Sequence, residues 1–339
     1  MQPPNEQLSL STRLHRLLVR ARFAEPVSLR GRKVIVTGTS PGSLGFETAR
    51  ILAQWGASVC VATRSNASES ARAITAAAAG SEVVGYPLDL SDAQSVARFA
   101  AWYRSEQSDT LDMLVNNAGI HLDLLSQWQE PRRSADGFEI HWRTNFLGTF
   151  QLTYLLLPLL QRAGNARVVN VVSALHGRGS NEGLFDPDYK PYNSWRAYGL
   201  SKLALVHHCS ELQRRYACSD GLQAFCLHPG AVYTNVAGKG LANTGLVEKV
   251  RNAFAPVEAF LLMTPEEGAQ TQLHCATSPG AETSRLKAAV FRPIALAALI
   301  TCAPISPQPS KPRVSPAKGR VSSLNGASTQ ACEQPAHAS

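Results

Sequence analysis

The chain has 339 residues, 44% of them hydrophobic and 17% charged, which excludes a disordered or collagen-like polypeptide and fits one large α/β domain with extra segments or two small ones. The net charge of +8 sits at the ends: residues 1–33 and 281–339 each carry seven Lys/Arg against two Asp/Glu, so each contributes +5 and residues 34–280 are left at −2. A nucleic-acid-binding domain carries its positive charge on the folded part, so this balance argues against nucleic acid as a partner.

Residues 1–30 form a basic extension. Leu8, Leu10, Leu14, Leu17 and Leu18, mixed with arginines, fit a short amphipathic helix laid against the domain better than a membrane anchor. No apolar run there suits a signal peptide. "IALAALITCA", 294–303, is far short of a bilayer span, so no stable membrane span is expected. From 33 to 228, β-branched runs ("KVIVTG", "SVCVATR", "SEVVGYPLDL", "LDMLVNN", "ARVVNVVS", "LQAFCLHPG") alternate with stretches whose apolar residues recur three and four apart. That pattern predicts a doubly wound α/β domain over 31–280, with a mainly parallel sheet and helices on both faces. Ligands then bind beyond the C-terminal ends of the strands. This gathers the glycine turn, Arg64, Asp89, Asn116, Ser173 and His228-Pro229-Gly230 in one cleft. Residues 281–339, rich in Pro, Ser, Ala and Gly, are expected to be a disordered tail. Seven cysteines, odd in number, widely spaced and without a C-x-x-C pair, predict thiols in a reducing, cytoplasmic setting, with neither a disulfide framework nor a metal site.

The stretch "VIVTGTSPGSLGFETARILA", 34–53, is a buried strand, a glycine turn and a helix start. Amides at a helix N-terminus and the helix dipole favour a pyrophosphate, and glycines let it come close. Gly38, Gly42 and Gly45 can serve, with Ser40 and Leu44 between them. An NAD-preferring site places an acid at the end of the second strand. Here that strand ends "VATRSN", and Arg64 stands in the acid's place. A guanidinium suits a 2′-phosphate, so NADP is expected over NAD, with NAD left open.

Tyr198 and Lys202, in "AYGLSK", are four apart at the start of a long helical pattern, which puts both on one face. A nearby ammonium is expected to lower the tyrosine pKa and make it a useful acid/base. Ser173 follows "VVNVV" at the same sheet edge and can hold a substrate oxygen. Asn145, in "WRTNFLGTF", lies on a preceding helix.

With these motifs in this order the chain resembles the short-chain dehydrogenase/reductase superfamily, in its retinol-dehydrogenase-like and WW-domain-oxidoreductase-like branch. The resemblance covers about residues 30–275 and rests on "TGTSPGSLGFETA", "LDLSD", "LVNNAG", "DGFEIHWRTNFLGTFQLTYLLLPLL", "RVVNVVSALH", "PYNSWRAYGLSK" and "HPGAVYTN". It implies a catalytic tetrad of Asn145, Ser173, Tyr198 and Lys202. Tyr198 would pass the proton, Ser173 hold the oxygen, Lys202 bind the nicotinamide ribose, and Asn145 hold a relaying water. It also implies that Asp89 and Leu90 face the adenine, that Asn116 and Ala118 face the adenosine side, and that Pro229, Gly230, Val232 and Thr234 lie beside the nicotinamide. The implied activity is hydride transfer between nicotinamide and a carbonyl or alcohol carbon of a small apolar substrate (an aldehyde, ketone, retinoid-like or steroid-like alcohol). A homo-oligomer is left open, and the alternative is a catalytically silent dinucleotide-binding scaffold or sensor. Two departures stand out. The glycine loop is one residue longer than the family's T-G-x-x-x-G-x-G. The family's final helix and seventh strand have no match after 280 beyond a short "AAVF" at 288–291.

Overall fold

A computed structural model describes residues 23–121, 129–185, 190–230 and 263–278. The expected basic N-terminal helix, the "AAVF" strand and the C-terminal tail lie outside the described residues.

Six strands form one sheet: β1 (Lys33–Thr37), β2 (Ser58–Thr63), β3 (Val83–Pro87), β4 (Met113–Asn116), β5 (Arg167–Val171) and β6 (Gln223–Leu227). Their order is β3-β2-β1-β4-β5-β6 and every pairing is parallel. The doubly wound parallel sheet is thus the observed fold. The order reverses between β1 and β4, where Val34 pairs with Met113 and Val36 with Val115. A cleft opens at such a switch point, past the strand ends.

The strands' alternation divides the core into two layers. Val34, Val36, Val59 and Val61 face one way, towards α1 (Leu44–Gln54), α2 (Ala67–Ala77) and α6 (Pro265–Thr277). Ile35, Cys60, Leu114 and Val168 face the other, towards α3 (Ala93–Trp102), α4 (Gly148–Arg162) and α5 (Ser194–Asp220). Both faces are buried except along the edge strand β3, which is half-buried, and this is why the other strands are rich in apolar residues.

The helices start where a side chain can take an orphan amide. Ser43 caps α1, Asp92 caps α3, and Asn193 caps α5 by accepting from the amides of Trp195 and Arg196. Thr264 and Glu267 cap α6 reciprocally, with Pro265 in its first turn. Gly221, at φ +64°, ends α5 in the left-handed conformation. Two π-helical turns interrupt the pattern, at Tyr103–Gln107 and Trp142–Leu147; the second carries Asn145. Among the described residues no helix is long and apolar enough to cross a membrane. Cys60, Cys209, Cys218 and Cys226 are free, whereas Cys275 is disulfide-bonded.

Candidate active site

The glycine loop leaves β1 at Gly38, which has φ +73°, and turns again at Gly42, with φ +74°. The added residue is absorbed in the turn before α1. The Ser43 amide donates to the Ser40 carbonyl at 3.0 Å. Ser43 Oγ donates to the Gly38 carbonyl at 3.0 Å and accepts from the Phe46 amide at 3.1 Å. Leu44 and Gly45 then stand first in α1, where first-turn amides have no intrahelical acceptor.

The loop is packed without slack. A Cβ on Gly38 would sit 2.8 Å from the Ala118 Cα; one on Gly45 would collide with the Asn117 amide and lie 2.6 Å from the Gly38 carbonyl. These glycines let the loop pack on Asn117 and Ala118, and the first-turn amides of α1 that follow it are donors a pyrophosphate can use, so the residues fit a dinucleotide. Gly45→Ala is therefore expected to destabilise the fold by about 1–3 kcal/mol through overpacking. It should also weaken dinucleotide binding, and a thermal melt with a cofactor titration checks both.

Two residues absent from the sequence expectations hold the loop. Asn117 Nδ2 donates to the carbonyls of Thr37 and Gly38 at 2.9 and 3.2 Å. Its Oδ1 accepts from Gln272 Nε2 at 2.9 Å, and Gln272 Oε1 accepts from Thr48 Oγ1 at 3.1 Å. Helix α6 thereby braces both α1 and the end of β4. Asn117 sits inside the "LVNNAG" motif; Gln272 carries no local signal.

Ser40 Oγ and Thr63 Oγ1 are 3.1 Å apart, tying the loop to the end of β2, and Arg64 follows, exposed. Asp89 Oδ1 accepts from the amide and hydroxyl of Ser91 at 2.8 and 2.6 Å. Leu90 is buried, and its carbonyl accepts from the buried Arg143 guanidinium at 3.0 Å. The Ala118 amide donates to Thr37 Oγ1 at 3.0 Å. Asn116 ends β4. Its Nδ2 donates to Thr153 Oγ1 at 3.1 Å and Asn170 Oδ1 at 2.9 Å, so the side chain turns into the layer under α4 instead of the cleft. Pro229 and Gly230 follow β6, with Gly230 at φ +89° beside Met263. Val232, Thr234 and the glycine-rich segment expected to be a lid lie outside the described residues.

The other four residues converge. Ser173 ends the β5 segment and opens a short 3-10 turn, its Oγ accepting from the Leu175 amide at 3.2 Å. It lies close to the Tyr198 hydroxyl, in the first turns of α5, and favours its ionised form. Lys202, one turn on, is buried, and its Nζ donates to the Val171 carbonyl at 3.0 Å. Asn145 is fully buried. Its Oδ1 accepts from the Ile120 amide at 2.8 Å, and its Nδ2 donates to the Ile120 carbonyl at 3.0 Å and to Ser201 Oγ at 3.1 Å. Both amide protons are thus committed, which fixes the chain after β4 to the helix bearing Tyr198. Gly119 fits between: a Cβ there would be 3.0 Å from Lys202 Nζ and 3.3 Å from Asn145 Oδ1.

The electrostatics differ from the expectation drawn from spacing alone. Burial raises the Tyr198 pKa above the ordinary phenol value, and the influence of Ser173, which works downward, does not offset it. The ammonium lies 5.8 Å from the Tyr198 ring centre and is turned to the Val171 carbonyl. Burial lowers Lys202 itself to about 8. A hydroxyl that stays protonated at neutral pH, with a serine close by, can donate a proton to a substrate oxygen.

The short chain dehydrogenase family model matches residues 32–244. The chain belongs to that family. It is 37% identical over 258 residues to human retinol dehydrogenase 11, covering 76% of each chain. It is 39% identical over 260 residues to a probable oxidoreductase of Streptomyces lividans, covering 75% of this chain and 82% of that one. A solved structure of an uncharacterized protein from Mycobacterium paratuberculosis superposes with a TM-score of 0.55 at 34% identity, over 75% of this chain and 79% of the other. As a short chain dehydrogenase of the retinol-dehydrogenase-like branch, the protein is a nicotinamide-dinucleotide oxidoreductase acting between CH–OH and C=O.

Proposed function

We propose that the protein is an NADP(H)-dependent reductase of a small apolar carbonyl compound, an aldehyde or ketone of retinoid-like or steroid-like character. The observation that carries the reading is the gathering of Ser173, Tyr198 and the buried Lys202 past the end of β5, on the same sheet edge as the glycine turn after β1 and Arg64 after β2. Tyr198 gives its proton to the carbonyl oxygen while Ser173 holds that oxygen in line. Lys202, on the neighbouring turn, faces the ribose side and supplies positive charge as the phenolate forms. The bound cofactor would supply the hydride to the carbonyl carbon. Asn145 keeps the Ile120 backbone and α5 in register beneath this reaction. The apolar substrate class is supported by the 37% identity to human retinol dehydrogenase 11. The cofactor choice is supported by the end of β2, where the sequence "VATRSN" has no acid and Arg64 is exposed.

Titration of the full chain with NADPH and NADH tests this. NADPH is expected to bind more tightly, and Arg64→Ala to weaken NADPH about tenfold while leaving NADH unchanged, the loss of one charge-assisted contact to phosphate. Equal binding of the two cofactors by the wild type would overturn the NADP assignment. Failure to reduce retinaldehyde or any apolar ketone with bound NADPH would overturn the activity.

A further inference from the structure

Beside the four converging residues lies a second buried polar cluster that the proton transfer does not use. Glu139 is its hub and is 1% exposed. Its Oε1 meets His141 Nδ1 at 2.8 Å and accepts from the Tyr192 hydroxyl at 3.0 Å; its Oε2 accepts from the Trp142 amide at 2.7 Å. Burial pushes the Glu139 carboxyl up, but the hydrogen bond and charge of His141 and the Trp142 amide outweigh it and hold the group below the usual carboxylate range. An ionised carboxylate only accepts, so His141 Nδ1 is the donor.

This hub touches both elements that carry the reaction. Trp142 opens the π-helical turn that holds Asn145, and Tyr192 lies just ahead of α5, which holds Tyr198. From His141 a line of rings runs to the reacting phenol. His141 is edge-on to His121 and to Tyr198, with centres 6.1 Å apart in each case. His121 lies flat on Tyr198, 4.2 Å between centres and 18° between planes. The terminal torsion of a tyrosine is broad and two-fold, so its own rotamer preferences do not fix the ring plane. Packed rings on one face can. Burying a carboxylate is costly unless its partners are well placed, and such networks pin geometry when every member is satisfied.

We propose that Glu139 is a positioning residue for the reaction. Through His141 and His121 it fixes the ring of Tyr198, and through Tyr192 and Trp142 it fixes the span between the turn bearing Asn145 and the helix bearing Tyr198. The proposal rests on Tyr198 being the proton donor of the function proposed above.

The test uses the full chain with NADPH and an apolar aldehyde, and in parallel nuclear magnetic resonance of ring-labelled tyrosine. The Tyr198 signals are assigned by their disappearance in Tyr198→Phe. Glu139→Gln is expected to lower kcat about tenfold to a hundredfold, with KM and the NADPH dissociation constant within about twofold, the pattern of a misaimed reacting group. It should also shift the Tyr198 ring signals, although Glu139 does not touch that ring. His121→Ala should do the same, and His121→Phe, which keeps a flat ring for the stack, should rescue most of the loss. If Glu139→Gln does not fold, Tyr192→Phe, which deletes one bond to the hub, and His121→Ala carry the test. Unchanged Tyr198 signals in Glu139→Gln and His121→Ala, or a change in KM alone, would overturn the proposal. A wild type that binds NADPH but reduces nothing would overturn the proposed function instead, and the ring signals would still decide the positioning.

Discussion

Tyr198→Phe is expected to cut turnover by about a thousandfold or more, at the upper end of what one general acid contributes. The substitution deletes a single oxygen. The ring can keep its stack on His121 and its edge contact with His141, so neither the fold nor the glycine cradle loses support. NADPH binding, read by titration, should stay near the wild-type value. The pH dependence carries a sign. Burial holds the Tyr198 hydroxyl above the ordinary phenol pKa, so in the free enzyme it remains a proton donor at neutral pH and beyond. For carbonyl reduction, kcat/KM should therefore be flat through neutrality and fall only on the alkaline side, where the donor is lost. For alcohol oxidation, which needs the phenolate, it should rise over the same range. Undiminished turnover in the phenylalanine variant would remove Tyr198 from the mechanism, whatever the fate of the cofactor assignment.

The sheet was legible because five of its six strands are buried on both faces, and apolar runs are what that burial demands. The pairing of Tyr198 with Lys202 was legible because four residues make one helical turn. What spacing could not supply was depth and direction. It puts the ammonium and the phenol on one face, but it does not say that Lys202 turns to the Val171 carbonyl or that burial outweighs the influence of Ser173 at Tyr198. The consecutive asparagines of "LVNNAG" make the same point. Successive side chains leave a strand on opposite faces, so Asn116 goes under α4 to Thr153 and Asn170, while Asn117 braces the glycine loop. Choosing between them requires knowing which face the cleft occupies. Gln272 bonds Asn117 from 155 residues away, with no local pattern to announce it. Asn145 sits on a π-helical turn, whose extra residue leaves no periodic trace.

Lys202→Met is expected to stabilise the cofactor-free protein while destroying its activity. The Lys202 ammonium is buried, and desolvation brings its pKa from 10.5 down to about 8. A shift of that size corresponds to about 3 kcal/mol of stability withheld at neutral pH. The lost bond from Nζ to the Val171 carbonyl, 3.0 Å long, offsets part of the gain by leaving a buried acceptor short of about 1–3 kcal/mol. Methionine fills a similar volume without charge. A net gain of about 1 kcal/mol should raise the melting temperature by about 2–4 °C. The pH dependence identifies the cause. Between pH 8 and 10.5 the unfolded lysine still holds its proton and the folded one does not, so wild-type stability rises with pH across that window. The advantage of the methionine variant should be full below pH 8 and shrink towards 10.5. A variant that melts lower at neutral pH, or whose advantage does not change with pH, would show that the ammonium is not a burden on the fold. If the gain appears together with loss of turnover, folding cannot be the reason for the ammonium. Its use then lies with the reaction, as the proposed role of Lys202 beside Tyr198 requires.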